Sequence, residues 1–294
     1  MSDSRITFVE HAGHRIACIA HENEEADRLP VVWIHGLTMS VRFWEKAMYE
    51  DLENHRSWYS VSLPFHYPST FDGDVSKQEI TESLLAELLA KPVDALIPEG
   101  KFHLVGHSLG GFVALNYAAK FPDRVASIVS IGGFATGKAK GLEGALQFLS
   151  AGNLLRKAAF FTGWWILKRH AIFLKLASLT YARKWRRMLS YPHFDPTMRL
   201  VFPDVQKHPI CALRAFFRYL IHMNILDEAD QIHHPVLVMA GLKDPIIPAE
   251  HQINYAGRIP TATLDLFEGV GHLIFAEAPE EFERRLIDWL DQYG

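Results

Sequence analysis

Short apolar runs alternate with longer amphipathic stretches over most of this chain, and the alternation predicts a sheet wound with helices. Residues 6–10 and 15–20 read as two strands paired around His11-Ala12-Gly13-His14. Residues 30–34 form an apolar run ending at His35-Gly36, followed by a helical pattern over 41–52 and another strand over 58–63. Ser76-Lys77-Gln78-Glu79 has the form of a capping box, with Val75 and Ile80 placed as its hydrophobic staple. The helix it opens should run to Lys91, before Pro92. A strand over 102–105, a helix over 109–121 and a strand over 125–131 come next. Strands over 236–240 and 263–267 then alternate with helices over 249–259 and 279–289. Such alternation implies a mostly parallel, doubly wound α/β sheet, joined by right-handed crossovers and covered by helices on both faces. Binding sites in such sheets lie at the carboxyl ends of the strands.

Residues 134–230 break the rhythm. They read as helices over 144–151, 156–168, 171–187 and 213–225, inserted after the sixth strand of the pattern. An excursion of this size at the active edge is expected to be a helical cap, leaving 1–133 and 231–294 as the core. The 294 residues suit one large α/β domain with such an insertion. With 49% apolar and 22% charged residues the composition is that of a globular chain. Cys18 and Cys211 lie far apart and in no metal-ligand spacing, and read as two reduced thiols, with one disulfide the alternative. The N-terminal residues lack a signal-peptide pattern and no stretch approaches the ~20 apolar residues of a membrane span, so a cytoplasmic protein is expected.

Three segments carry the candidate chemistry. Gly106-His107-Ser108-Leu109-Gly110-Gly111 sits between a strand and a helix. A Gly-x-Ser-x-Gly at such a junction is a nucleophile elbow, whose tight turn requires residues without side chains at −2 and +2 from the serine. A serine hydroxyl needs a base, and the base a carboxylate to fix its tautomer. Asp244 follows the strand over 236–240, and His272, in a Gly-flanked loop, follows the strand over 263–267. The order Ser, Asp, His is that of elbow enzymes. The competing readings are an Asp-Pro turn or helix cap at Asp244 and a surface histidine at His272. Two backbone N–H groups should hold the oxyanion: that of Leu109 at a helix N-terminus, and that of Leu37 in the loop after the strand over 30–34. The pair His233-His234 lacks a third ligand at useful spacing, so no metal is expected, and the chemistry requires no cofactor.

Together these segments resemble the α/β-hydrolase fold superfamily, in its cap-bearing esterase, lipase and epoxide-hydrolase-like branch. The carriers are His35-Gly36, the elbow, Phe121-Pro122-Asp123-Arg124-Val125, Gly241-Leu242-Lys243-Asp244 and Gly271-His272. The serine at position 108 argues against the relatives that use an aspartate nucleophile. One departure stands out: Ser62-Leu63-Pro64-Phe65-His66-Tyr67-Pro68-Ser69-Thr70 replaces the family's Gly-containing turn after the fourth strand. Its Phe65, His66 and Tyr67 either line the entrance or pack. Substrate contacts are expected at His35, Thr38, His107, Phe65, Trp164 and Trp165.

The expected cap has an unusual charge pattern. From Gly144 to Phe194, 51 residues, there is no Asp or Glu, against nine Lys or Arg. Removing those nine leaves 21 basic and 34 acidic residues elsewhere, a balance of −13 in a chain of net charge −4. Interleaved are Phe148, Phe160, Phe161, Trp164, Trp165, Phe173, Tyr181 and Trp185. Such a surface suits an anionic lipid interface or an acidic carrier, whereas the acidic remainder argues against nucleic acid. The simpler alternative buries the aromatics and lets the cations snorkel. The sequence therefore points to a serine hydrolase of carboxylic esters with a hydrophobic acyl chain. A thioesterase or an esterase of carrier-bound acyl groups is the second reading, and a non-catalytic receptor on the same fold the third.

Overall fold

The computed structural model describes residues 5–46, 50–75 and 77–294. Its described residues form a nine-stranded sheet. The strands are β1 (Ile6–His11), β2 (His14–His21), β3 (Val31–Ile34), β4 (Trp58–Val61), β5 (Thr70–Phe71), β6 (Phe102–His107), β7 (Val125–Ile131), β8 (Val236–Gly241) and β9 (Ala262–Phe267). They lie in the order β1-β2-β4-β3-β6-β7-β8-β9, with β5 paired to β2. The first hairpin and the β2–β4 and β2–β5 pairings are antiparallel. Every pairing from β4 through β9 is parallel.

The hydrophobic pattern explains the layering. β3, β4, β6 and β8 are buried at every position, as strands covered on both faces must be. Alternate residues serve opposite faces. Thus Val32 and Ile34 join one core cluster, while Val31 and Trp33 join the other. The edge strand β1 is nowhere fully buried, and β9 is buried only at Phe267.

The helices flanking the sheet are α1 (Glu50–His55), α2 (Glu82–Leu96), α3 (Leu109–Lys120), α10 (Ala249–Ala256), α11 (Ile274–Glu277) and α12 (Pro279–Gln292). Six helices interrupt the alternation between β7 and β8: α4 (Gly141–Ser150), α5 (Leu154–Leu167), α6 (Ala171–Ser178), α7 (Trp185–Ser190), α8 (Phe194–Lys207) and α9 (Ile210–Leu220). The insertion follows the seventh strand rather than the sixth because the two-residue β5 was too short to register as a pattern.

Several local expectations give way to tertiary forces. Of the helix expected over 41–52, residues 41–46 instead form turns, and Glu50–His55 are helical. The capping box at Ser76 lies outside the described residues; α2 instead begins after Thr81, whose side chain accepts the Leu84 N–H. That helix also runs through Pro92, which costs about 3 kcal/mol in a helix interior. Burial of Leu85, Leu88, Leu89 and Val93 on the same helix outweighs it. The single helix expected over 171–187 is two, α6 and α7, because the intervening backbone is bonded elsewhere, as described below. The helix α8 went unread because Pro196 and Pro203 interrupt its pattern; Met198, Val201 and Val205 nevertheless form its buried stripe. The expected helix over 213–225 is α9, shifted towards its N-terminus. Cys18 is buried and Cys211 exposed, and neither is in a disulfide.

Candidate active site

The strand order reverses between β3 and β6, which run side by side with β4 on one flank and β7 on the other. Loops leaving the carboxyl ends of β3 and β6 therefore diverge and leave a crevice. Ser108 stands at its base, between the end of β6 and the start of α3, with φ 54° and ψ −116°. Such a backbone is strained for a residue with a side chain. Neighbouring contacts impose it. The Ser108 N–H donates to the Ile131 carbonyl at 2.8 Å, while the turn packs so tightly that a Cβ at Gly106 would lie 2.1 Å from the Gly110 oxygen. A Cβ at Gly110 would lie 2.3 Å from the Ile34 oxygen at the end of β3. Only glycine fits at either position.

Asp244 and His272, 28 residues apart in sequence, meet in the adjoining loops. His272 Nδ1 donates to Asp244 Oδ2 at 2.7 Å, and both side chains are buried. Asp244 Oδ1 accepts the N–H groups of Ile246 and Ile247 at 2.8 and 2.9 Å. The carboxylate therefore orders its own turn and faces the imidazole at the same time. Spending the Nδ1 proton on Asp244 leaves Nε2 as the acceptor of the neutral ring. Burial alone would lower the His272 pKa, but the Asp244 charge and hydrogen bond, helped by Glu143 and Glu277, carry it above its ordinary value. Ser108 and His272 line one pocket.

The loop after β3 forms the opposite wall. A Cβ on Gly36 would lie 3.4 Å from Ser108 Cβ, which places this loop directly over the elbow. Three buried histidines hold it there. His35 Nδ1 donates to the Gly36 carbonyl, and its Nε2 accepts the Leu63 N–H. His66 Nδ1 donates to the Pro64 carbonyl, and its Nε2 accepts the Thr38 N–H. His208 Nε2 donates to the Met39 carbonyl, and its Nδ1 accepts the Tyr67 N–H. Each ring must be neutral to accept as well as donate. Burial lowers His35 to about 3 and His66 to about 4, and holds His208 well below its ordinary value.

Other expected site residues divide. Leu37, Thr38, His107 and Trp164 line the pocket with Ser108. His107 Nε2 also donates to the His272 carbonyl. His35 does not line it, because both ring nitrogens are committed to the loop backbone. Phe65 does not either: it packs in the core between His14, Phe71 and Phe216. Trp165 is 55% exposed on the outer face of α5, with the Arg169 guanidinium over its ring. One residue along a helix turns a side chain by about 100°, which separates Trp165 from the pocket-lining Trp164. The turn at 62–70 packs rather than lines an entrance, with Phe65 and His66 buried.

Two acidic residues went unnoticed in the sequence. Glu277, buried at the end of α11, accepts the N–H groups of Arg183, Lys184, Gly271 and Leu273. Its position five residues after His272, in an otherwise apolar run, was the available signal. The His272 N–H donates to the Tyr181 carbonyl at 2.9 Å. These bonds divert the backbone of 181–184 from helical pairing, which is why α6 and α7 are separate. Glu143, on the first turn of α4, lines the pocket and accepts the Tyr181 hydroxyl proton at 2.8 Å. Among the described residues, no cluster of His, Cys, Asp or Glu could hold a metal ion. None of the described helices is long and apolar enough to cross a membrane.

Comparison with known proteins places the chain. The family model for the alpha/beta hydrolase fold matches residues 30–279. A pimeloyl-(acyl-carrier protein) methyl ester esterase of Nitrosomonas europaea is 26% identical over 259 residues, spanning 86% of this chain and 92% of its own. A monoacylglycerol lipase of Bos taurus is 23% identical over 309 residues, covering 97% of this chain and 82% of its own. The solved structure of an esterase from Thermogutta terrifontis superposes with a TM-score of 0.72 at 19% identity over 99% of both chains, a likeness of fold. A match extending from before β3 to the start of α12 makes this chain a member of the alpha/beta hydrolase fold family.

Proposed function

We propose that the protein is a serine hydrolase of carboxylic esters with a hydrophobic acyl portion, working through an acyl-enzyme. Relatives named as a monoacylglycerol lipase and a methyl ester esterase support the broad class of ester hydrolase. The observation carrying the finer reading is the buried Asp244–His272 hydrogen bond, whose imidazole lines the same pocket as Ser108 on its strained turn. Ser108 attacks the carbonyl, His272 Nε2 takes its proton and later delivers it to the leaving alkoxide, and Asp244 holds the ring and stabilises its charge. The N–H groups of Leu37 and Leu109 receive the oxyanion. The Thr38 N–H is already spent on His66, which supports Leu37 as the donor from that loop. Each donor of this kind stabilises the transition state by about 3–4 kcal/mol. The lining contributed by Trp164, Leu167, Leu174 and Met198 supports an apolar acyl chain. These residues all come from 134–230, which we assign as a cap over the core of 1–133 and 231–294.

The surface of this cap favours an anionic lipid interface. Phe160 and Trp164 are buried as the simpler alternative required, but Phe148, Trp165, Phe173 and Trp185 remain exposed. Leu154 and Leu155 are 80% and 79% exposed on the first turn of α5, next to Arg156 and Lys157. Apolar side chains beside cations suit a bilayer with anionic headgroups better than an acidic carrier protein, which would need the cations alone.

Ser108→Ala should abolish turnover of medium-chain p-nitrophenyl esters and labelling by a fluorophosphonate probe, with an unchanged melting curve. Retained esterase activity in that variant would overturn the assignment.

A further inference from the structure

The proposed site uses Ser108, Asp244 and His272, yet its pocket also holds a carboxyl that the triad does not employ. Glu143 is the one Asp or Glu among the pocket's described lining residues. Its Oε1 accepts the Tyr181 hydroxyl proton, whereas Oε2 is buried with no hydrogen-bond partner among the described residues. Native interiors rarely leave a carboxyl oxygen in this condition, and the exceptions ask for a reason. Burial raises its pKa to about 7, against the opposing pull of the Tyr181 hydroxyl and of His272. Tyr181 itself stays a donor, its pKa carried well above the ordinary value by burial and by the Glu143 charge.

The surroundings restrict what Oε2 can serve. Tyr181 ties this carboxyl to the catalytic histidine: its hydroxyl bonds Glu143, its carbonyl accepts the His272 N–H, and its ring centroid lies 6.0 Å from that of His272. In the proposed reaction His272 hands its proton to the departing alkoxide, so groups beside His272 face the alcohol half of the ester. The other pocket-lining residues of this helix, Leu142 and Leu146, are apolar, which leaves the carboxyl as the polar group that α4 brings to the pocket.

We propose that Glu143 is a specificity-determining residue that accepts a hydrogen bond from a donor group on the alcohol half of the substrate, close to the ester oxygen. The site then prefers esters of diol-like or amino alcohols over those of simple alkanols. This inference rests on the esterase reading above. Discrimination of this kind is effective because an alkanol of the same shape leaves the buried carboxyl unpaired.

Three octanoate esters test it: 2-hydroxyethyl, 2-(dimethylamino)ethyl and n-propyl, the last an isostere without a donor. We compare kcat/KM for wild type, Glu143→Gln and Glu143→Leu. At pH 8, where the Glu143 carboxyl is mostly ionised, wild type should favour the hydroxyethyl or the aminoethyl ester over the propyl ester by roughly 10- to 100-fold, the range for a hydrogen bond to a charged acceptor. A larger preference for the aminoethyl ester would identify a cationic alcohol, and for the hydroxyethyl ester a neutral diol. In Glu143→Leu the ratio should collapse towards 1. Glu143→Gln, which retains a carbonyl acceptor, should keep part of the hydroxyethyl preference and lose any preference for the ammonium. Should the leucine variant fail to fold, the isosteric glutamine variant with its melting curve carries the comparison. Equal rates on all three esters in wild type, or ratios unchanged by either substitution, would overturn the inference and leave the esterase reading intact. Failure of wild type to hydrolyse any of them would instead refute the esterase reading.

Discussion

Replacing Glu277 should damage stability and catalysis together, although this carboxylate touches no substrate. It is 1% exposed, and four backbone N–H groups converge on it. Oε2 accepts from Arg183, Lys184 and Gly271 at 2.7, 2.8 and 3.0 Å, and Oε1 accepts from Leu273 at 3.2 Å. A hydrogen bond to a charged group contributes about 1.5–3 kcal/mol, and a buried donor left unmade costs about 1–3 kcal/mol. Bonds sharing one acceptor are not additive, so Glu277→Ala should cost about 4 kcal/mol in total rather than the full sum. Glu277→Gln can keep its carbonyl towards the three Oε2 donors and turn its amide against Leu273, for a cost of about 2 kcal/mol. The two donors Gly271 and Leu273 flank His272, so the imidazole loses its backbone anchor on both sides. Misplacing a catalytic group by about 1 Å costs on the order of 100-fold in rate. Urea unfolding followed by tryptophan fluorescence gives the stabilities, and kcat/KM on a p-nitrophenyl ester gives the second readout. The expected order is wild type, then glutamine, then alanine in both. An alanine variant within about 1 kcal/mol and threefold of wild type would refute this role.

Other expected outcomes follow from the same geometry. Because the proposed reaction needs a neutral His272 to accept the Ser108 proton, and the pKa of that ring is raised, kcat/KM should fall on the acid side with a midpoint above pH 6.5. Glu143→Gln, which removes one charge that raises it, should move that midpoint down; a midpoint below 6.5 in wild type contradicts the assignment. Acid stability should also be poor. His35, His66 and His208 resist protonation in the fold but not in the unfolded chain, so stability is complete above pH 6.5 and declines as pH falls towards 4. Each contributes up to about 1.4 kcal/mol per pH unit across that window. Equal urea midpoints at pH 7 and pH 5 would rule this out. Gly110→Ala, whose new methyl would meet the Ile34 carbonyl, should lower the melting temperature and abolish activity, and a fully active, equally stable variant would show that the elbow has room.

The local pattern already carried most of the core. Continuous apolar runs such as 102–105 and 236–240 can be satisfied only in a sheet buried on both faces, and they appear as β6 and β8. The glycines flanking Ser108 were equally legible, since a turn forbidding side chains leaves a compositional mark. The loops bearing Asp244 and His272 were legible from their place after strands, although the 2.7 Å bond joining them is a fact of the fold alone.

What escaped has a common cause. Hydrophobic periodicity records which face of a segment is apolar, but it does not record where the backbone N–H groups and carbonyls of that segment are spent. Residues 171–187 have a helical pattern, yet Glu277 takes the Arg183 and Lys184 N–H groups from almost 100 positions away, and the helix breaks. Phe65 and Trp165 have the right chemistry for a pocket wall, but the rotation of α5 and the packing of Phe216 decide which aromatic reaches it. By itself the sequence determined the sheet, the strained serine and the order of the three candidate catalytic residues. Only the tertiary structure decided which buried carboxyls and histidines surround them, because those partners are chosen by distance in space, which no local spacing encodes.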